Sequence, residues 1–230
     1  MRGSSGGAGS MRAHPVLLPF SDDAQDPDIY RRVFISLRLP DTSRCRSIGL
    51  TSAVRGEGRT TLARGFALTL AADLEVPVWL AELDLEHPSL ADYFGLPPAP
   101  GLCDVLRGGL ELEDVAFPVA ENLSVLPAGA VQREAPRLLR QLGNEDPFAR
   151  PGMPQRMIIF DLPPVVACSY GPLVAGLADA LVLVIRAGTT PAALVHTALQ
   201  RLEGSPPQGT ILNAFRSALP RWYPGLAEVP

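Results

Sequence analysis

With 230 residues and 47% hydrophobic content, the chain can bury one substantial core, and its terminal segments leave little sequence for a second domain. Its formal net charge is -4, and no group of arginines is interleaved with aromatic residues, which argues against nucleic acid as the main partner. The longest strongly apolar run, Ala180 to Ile185, is far too short to cross a bilayer, and no secretory signal is visible.

All 20 basic residues are arginines. This composition is typical of a GC-rich genome, and deliberate removal of lysine is the alternative. The three cysteines are widely spaced and form no metal-ligand pattern with the three histidines, so reduced thiols and a cytoplasmic location are expected. The residues concerned are Cys45, Cys103 and Cys168, with His14, His87 and His196.

The two ends of the chain differ from the rest in composition. Residues 1–10 resemble an added expression leader that precedes a natural start at Met11. Residues 11–40 are predicted to form an N-terminal extension, and residues 219–230 a short proline-containing tail. The folded domain is therefore expected to span residues 41–218.

The first predicted elements are a buried strand at Ser47 to Ser52 and, after it, a helix with an apolar residue at every fourth position. These helix positions are Leu62, Phe66, Leu70 and Leu74. The connecting sequence SAVRGEGRTT has the spacing of a phosphate-binding P-loop, in which backbone N–H groups and a helix N-terminus surround the phosphates. Gly56 and Gly58 would let the backbone come close, and Thr60 would offer its hydroxyl to Mg²⁺. An ordinary strand-to-helix turn is the plainer alternative.

Arg59 stands at the position where a P-loop needs lysine. Lysine supplies a compact ammonium group to the terminal phosphates, whereas the guanidinium is larger and bonds in a plane, so the exchange is not conservative. Binding of ATP or ADP is expected to survive this change, and phosphoryl transfer is expected to fail.

Strands and helices alternate after the P-loop. A helix is predicted at 133–142 and a loop at 143–156, and Thr190 is predicted to cap a helix that begins at Pro191 and buries one face. That face carries Leu194, Ala198 and Leu202. The predicted strands are Val76 to Asp84, Asn122 to Ala128, Met157 to Asp161, Ala180 to Arg186, and Thr210 to Phe215, which closes the sheet. The pattern predicts an α/β fold with a single doubly wound, mainly parallel sheet and helices on both faces.

Asp161 provides a second sign of a nucleotide site, because it ends the apolar strand MIIFD. A carboxylate at the carboxyl end of such a strand can hold Mg²⁺, or a water bound to Mg²⁺, beside the phosphates. A lone aspartate at a strand end is usually a turn or cap residue. Its place after the P-loop motif favours the functional interpretation.

From about Asp28 to Phe215 the chain resembles the cytoplasmic domain of the bacterial tyrosine autokinases (BY-kinases), which work with membrane chain-length regulators in capsule and exopolysaccharide export. The matching pieces, in order, are TSAVRGEGRTT, VWLAELDLEHPSL, GLCDVLRGG and IIFDLPPV. That family belongs to the wider P-loop ATPases that include the septum-site and partitioning proteins.

The resemblance implies a P-loop NTPase fold, with ATP or ADP and Mg²⁺ as cofactors. It also implies a membrane polysaccharide co-polymerase as partner and recruitment to the inner face of the cell membrane. A homo-oligomer is implied as well, in which the segment from Asp28 to Phe34 would be the assembly helix.

The chain departs from the family pattern where chemistry would occur. The family's additional acidic motif has two aspartates and an arginine where this chain has Glu82, Asp84 and Glu86. Phe34 replaces an arginine of the assembly helix, and Tyr223 alone stands in place of a C-terminal tyrosine cluster. These departures imply a degenerate kinase, or pseudokinase, of exopolysaccharide biosynthesis.

Motif position assigns the candidate site residues. Thr60 and Asp161 would hold Mg²⁺, and Glu82 and Asp84 would lie in the outer shell of the metal or orient an attacking hydroxyl. The phosphates would be surrounded by Gly56, Glu57, Gly58, Arg59, Thr60 and Thr61. Three alternatives stay open: an active tyrosine autokinase that tolerates Arg59, a positioning ATPase of the septum or partitioning type, and a merely solvated turn at Glu82 and Glu86.

Overall fold

A computed structural model of the chain describes residues 15–19, 27–36, 46–130, 134–144, 146–149 and 155–215. These residues form one eight-stranded sheet with the strand order β1-β8-β7-β2-β6-β3-β5-β4. All neighbouring strands are parallel except β4, which runs antiparallel to β5. The strands are β1 (Pro15–Pro19), β2 (Ser47–Ser52), β3 (Val78–Glu82), β4 (Phe117–Ala120), β5 (Leu123–Leu126), β6 (Met157–Asp161), β7 (Ala180–Arg186) and β8 (Gly209–Phe215).

Seven helices connect or flank these strands in the described part of the chain. They are α1 (Pro27–Ser36), α2 (Arg59–Asp73), α3 (Leu90–Phe94), α4 (Leu102–Arg107), α5 (Ala135–Asn144), α6 (Gly171–Ala175) and α7 (Ala192–Arg201), with short 3-10 turns at Leu112–Val115 and Pro147–Ala149. None of the described helices is long and apolar enough to cross a membrane.

The core lies on both faces of the sheet. All residues of β2, β3 and β6 are buried, as expected for central parallel strands covered on two sides. One face packs mainly against α1 and α2, and the other against α4, α5, α6 and α7. The predicted doubly wound, mainly parallel sheet is confirmed.

Two edges of the sheet differ from the prediction. β8 does not close the sheet, because β1 pairs in parallel along its outer side. At the opposite edge, the short strand β4 was not predicted at all. Both missed strands are four or five residues long and contain proline, which edge strands tolerate and which weakens a strand pattern in sequence.

The predicted cap of the last helix is also wrong. Helix α7 begins at Ala192, its N-cap position is Pro191, and no side chain caps it. The Thr190 hydroxyl donates instead to the carboxylate of Glu57. Thr190 therefore bonds a residue from another part of the chain, and the start of α7 has no side-chain cap.

Helix α1 is docked firmly on α2. The rings of Tyr30 and Phe66 meet edge to face with centroids 5.6 Å apart, and Arg31 donates two hydrogen bonds of 2.7 Å to Asp73. A Cβ atom at Gly65 would lie 1.9 Å from the Tyr30 ring, so the glycine permits this close approach. Phe34, which replaces the arginine expected from the resemblance, packs against the same core.

The leader at residues 1–10, the tail at 219–230, and Cys45, His14 and Tyr223 lie outside the described residues. Cys103 and Cys168 are free and buried, and burial raises the pKa of both thiols. Helix α7 exposes His196 and buries Ala198.

Candidate functional site

The loop between β2 and α2 lies at the carboxyl edge of the sheet. Gly56 and Gly58 have φ angles of 82° and 95°, in the left-handed region that glycine tolerates. Gly58 is the N-cap of α2, and no side chain bonds the free N–H groups there. Helix α2 therefore presents unfilled backbone donors and the positive end of its dipole, as an anion site requires.

Thr60 and Asp161 meet at the start of α2. Asp161 ends β6, which pairs in parallel beside β2, so its side chain reaches the loop from the neighbouring strand end. The Thr60 hydroxyl donates to Asp161 Oδ2 over 2.6 Å. Asp161 is 1% exposed, and burial raises its pKa to about 6. The two residues assigned to Mg²⁺ from the motifs thus lie in direct contact.

Arg59 folds back against the protein. Its Nη2 donates to Asp84 Oδ2 over 2.9 Å, and its Nη1 donates to the carbonyl oxygen of Leu162. The Arg59 and Asp84 side chains are only 8% and 4% exposed. The guanidinium therefore has two protein acceptors, which motif spacing alone did not reveal.

Two carboxylate oxygens in this cluster lack a partner. Asp84 Oδ1 and Asp161 Oδ1 are buried side-chain atoms without a hydrogen bond in the described structure. Arg59 supplies one positive charge against two carboxylates, so the ionised cluster keeps a net negative charge. A buried acceptor without a partner is costly in free energy. A cation or ordered water beside these two oxygens would remove that cost.

The donor set fits Mg²⁺ bound together with a nucleotide. Mg²⁺ prefers oxygen ligands and usually combines one or two carboxylates with waters and phosphate oxygens, and Thr60 and Asp161 would be its protein ligands here. Among the described residues, no group of three or more His, Cys, Asp or Glu side chains could hold a metal ion. Phosphate oxygens would therefore have to complete the coordination.

Glu82 has different partners from those that the sequence suggested. Its Oε1 accepts hydrogen bonds from the backbone N–H groups of Ser89 and Leu90, and its Oε2 accepts one of 3.1 Å from Ala128 N. Both oxygens are thus bonded to backbone amides, and the residue is 1% exposed. Glu82 joins the end of β3 to the start of α3 and to the segment after β5. It has no unbonded oxygen to offer to a metal ion at Thr60 and Asp161.

The buried Glu82 carboxyl predicts a pH dependence of stability. Burial raises its pKa from 4.5 to about 7. The pKa of Glu82 is higher in the folded than in the unfolded protein, so ionising this buried carboxyl costs stability. The cost is absent below pH 4.5 and grows as pH rises to about 7, where it reaches up to about 3 kcal/mol. Urea unfolding of the wild type between these pH values should show falling stability. Glu82→Gln, which cannot ionise, should show a smaller slope; an equal slope would contradict this role.

Glu86 and the P-loop residue Arg55 form a surface link. Arg55 Nη2 lies 3.2 Å from Glu86 Oε2 and 2.7 Å from His87 Nδ1. The acidic residue at the family's arginine position is therefore matched by a basic residue on the facing loop. Glu86 is partly exposed, and a bond of this kind adds little stability.

The side chain of Glu57 is bonded to protein groups and does not face the space where a phosphate is expected. Its carboxylate accepts from Val54 N over 2.8 Å, from Arg186 N over 3.3 Å and from the Thr190 hydroxyl. Only the backbone of Glu57 is therefore available to a phosphate. Gly56 in the loop and Thr61 in the first turn of α2 are both exposed.

Three residues that touch the loop were missed in the sequence. Arg186 ends β7, Thr190 lies just after it, and Asn213 lies near the end of β8. No motif of the sequence marks them. Their position follows only from the order β8-β7-β2, which places these strand ends beside the loop.

The curated relatives are bacterial kinases and polysaccharide export proteins. No family model matches the chain. Tyrosine-protein kinase YwqD of Bacillus subtilis is 28% identical over 184 residues, which cover 79% of this chain and 77% of YwqD. The succinoglycan biosynthesis transport protein ExoP of Rhizobium meliloti is 30% identical over 192 residues, which cover 74% of this chain and only 22% of ExoP.

Solved structures agree with these relatives. The kinase domain of VpsO is 29% identical, with a TM-score of 0.72 over 84% of this chain and 96% of that domain. The kinase domain of the Escherichia coli tyrosine kinase ETK has a TM-score of 0.77 at 23% identity, over 90% of this chain and 91% of that domain. MinD of Pyrococcus horikoshii, solved with Mg-ADP, has a TM-score of 0.55 at 24% identity, over 73% of this chain and 69% of MinD. The last two show the fold alone. The chain is thus similar in sequence and fold to bacterial tyrosine-protein kinases, and it has the P-loop α/β fold that their kinase domains share with MinD.

Proposed function

We propose that the chain binds ATP or ADP with Mg²⁺ at the loop between β2 and α2 and acts as a degenerate kinase in exopolysaccharide or capsule assembly. The observation that carries this proposal is the state of Arg59, which is bonded to Asp84 and Leu162 while Thr60 and Asp161 lie in contact at the start of α2. One site would thus bind the nucleotide but transfer its phosphoryl group poorly.

Nucleotide binding is supported by backbone and metal contributions. The N–H groups at the start of α2 would bind the phosphates, and Thr60 with Asp161 would hold Mg²⁺. When bound, Mg²⁺ would neutralise charge on the β- and γ-phosphates. The backbone donors do not depend on which side chain stands at position 59.

Transfer is expected to be weak because it depends on positioned positive charge. Phosphoryl transfer needs charge stabilisation where negative charge builds up on the transferred group. Arg59 is held at an ion pair with Asp84, and its planar fork cannot replace the compact ammonium of lysine. Reaching a phosphate would require breaking a buried ion pair, which is costly.

The names of the relatives support the biological setting of the proposal. ExoP is named for succinoglycan biosynthesis and transport, and YwqD is named as a tyrosine-protein kinase. We place the chain in the cytoplasm, at the inner face of the membrane, as a regulator of a membrane polysaccharide co-polymerase. A homo-oligomer assembled through α1 belongs to the same proposal.

The proposal is tested by replacing Asp161 with asparagine. Isothermal titration with ADP should show that wild-type affinity rises at least about tenfold when Mg²⁺ is added, and that Asp161→Asn loses this gain. Affinity without Mg²⁺ should stay within about threefold of wild type, because the backbone donors remain. Asp92→Asn, at an exposed position of α3, is the matched control. Equal Mg²⁺ dependence in all three proteins would remove Asp161 from the site.

A further inference from the structure

The P-loop is held from outside by side chains at the ends of two other strands. Arg186 Nη1 donates to the carbonyl oxygen of Gly56 over 2.9 Å, and Asn213 Nδ2 donates to the carbonyl oxygen of Glu57 over 2.9 Å. The Glu57 carboxylate bonds the Thr190 hydroxyl and Arg186 N. We call Glu57, Arg186, Thr190 and Asn213 the outer clamp.

Asn213 is oriented by its own neighbour. Its Oδ1 accepts from Ala214 N over 2.9 Å, so its Nδ2 is the atom that faces Glu57 O. A Cβ atom on Gly58 would lie 2.1 Å from this Nδ2. Asn213 and the loop are thus in close contact, and the amide cannot turn over without placing two acceptor oxygens against each other.

Glu57 holds the loop at a second point. The residue is 2% exposed, and its Oε2 accepts from Val54 N within the same loop while its Oε1 faces Thr190 and Arg186 N. A carboxylate beside a phosphate site would repel the ligand if it faced inward. Here its charge is bonded on the outer side, where it ties the loop to the segment after β7.

These contacts determine where the loop amides point. A trans peptide unit directs its C=O and its N–H in opposite directions, and the peptide bonds of the loop are trans. The carbonyl oxygens of Gly56 and Glu57 face Arg186 and Asn213. The N–H groups of Glu57 and Gly58 consequently face away from these two side chains, towards the inner side of the loop.

We propose that the outer clamp is a set of positioning residues that orients the N–H groups of Glu57 and Gly58 for an anion. The identity of that anion, the phosphates of ADP or ATP, rests on the proposed function. The clamp itself rests on contacts between protein atoms. It acts through the backbone, so its side chains bind no phosphate directly.

The test uses two pairs of variants. In each pair, one variant removes a hydrogen bond of the outer clamp and the other serves as its control. Asn213→Asp keeps the shape but replaces the donor to Glu57 O with an acceptor, and Asn144→Asp, at the exposed end of α5, is its control. Thr190→Val removes the donor to Glu57, whereas Thr190→Ser keeps it. Hydrogen exchange of residues 53–61 without nucleotide, ADP titration with Mg²⁺, and urea unfolding are measured on each full-length variant.

We expect Asn213→Asp and Thr190→Val to exchange faster in residues 53–61 and to bind ADP about tenfold or more weakly. Thr190→Ser and Asn144→Asp should stay close to wild type in both measurements. The clamp is refuted if exchange in Asn213→Asp and Thr190→Val equals wild type, or if Thr190→Ser is as impaired as Thr190→Val. If wild type binds no ADP, the proposed function fails, and the exchange rates alone still decide the clamp.

Discussion

Replacing Asp84 with asparagine is expected to lower the free energy of unfolding by about 3 to 5 kcal/mol. The substitution keeps the shape of the side chain but leaves the Arg59 guanidinium, which is buried, without its carboxylate partner. Asp161 lies close enough to offset part of this loss, so values near the lower end are expected. Urea unfolding at pH 7, followed by circular dichroism, measures the difference.

Glu134→Gln is the matched control for this prediction. Glu134 also bonds an arginine over 2.9 Å, but its side chain is 49% exposed. Removing its charge should change stability by less than about 0.5 to 1 kcal/mol, as is usual for surface ion pairs. An Asp84→Asn effect as small as that of the control would mean that the buried pair with Arg59 does not hold in solution.

Replacing Arg59 with lysine is expected to raise ATP turnover by about a hundredfold, the usual size of one well-placed electrostatic contact. Lysine has one compact ammonium group in place of the planar fork that spans Leu162 O and Asp84, so it is expected to hold these two acceptors less firmly. A freed ammonium would be available to the terminal phosphates. Phosphate release with ATP and Mg²⁺ is the measurement, with ADP affinity determined alongside.

The control for this experiment is Arg64→Lys, which makes the same exchange on the same helix. Arg64 stacks over the Tyr93 ring at 3.5 Å from its centroid and is not part of the Arg59 ion pair. Its replacement should leave turnover near the wild-type rate. If Arg59→Lys folds normally and also stays at the wild-type rate, the lack of lysine does not limit this site.

Much of the fold could be predicted from local patterns. The apolar runs at β6 and β7 are continuous because these strands are buried in the sheet, and such runs are visible in sequence. β3 is observed at Val78–Glu82, two residues shorter at each end than predicted. The edges were missed because strand-strand pairing at an edge depends on where distant segments meet.

The site could be predicted only where a motif carries it. The contact of Thr60 with Asp161 follows from the motif order and from the pairing of β2 with β6. The partners of Arg59 and Glu82 depend on the conformations that these long, flexible side chains adopt in the folded protein. The spacing of motifs along the sequence does not encode those conformations. Asn213 and Arg186 belong to no recognised motif of the chain, so only the sheet order reveals them.

Titration of the wild-type chain with ADP, in Mg²⁺ and then in EDTA, tests the central claim most directly. A single saturable site is predicted, with affinity at least about tenfold tighter in Mg²⁺, because Thr60 and Asp161 are already in place beside the loop. No heat of binding at ADP concentrations up to about 1 mM in either buffer would contradict nucleotide binding at this site.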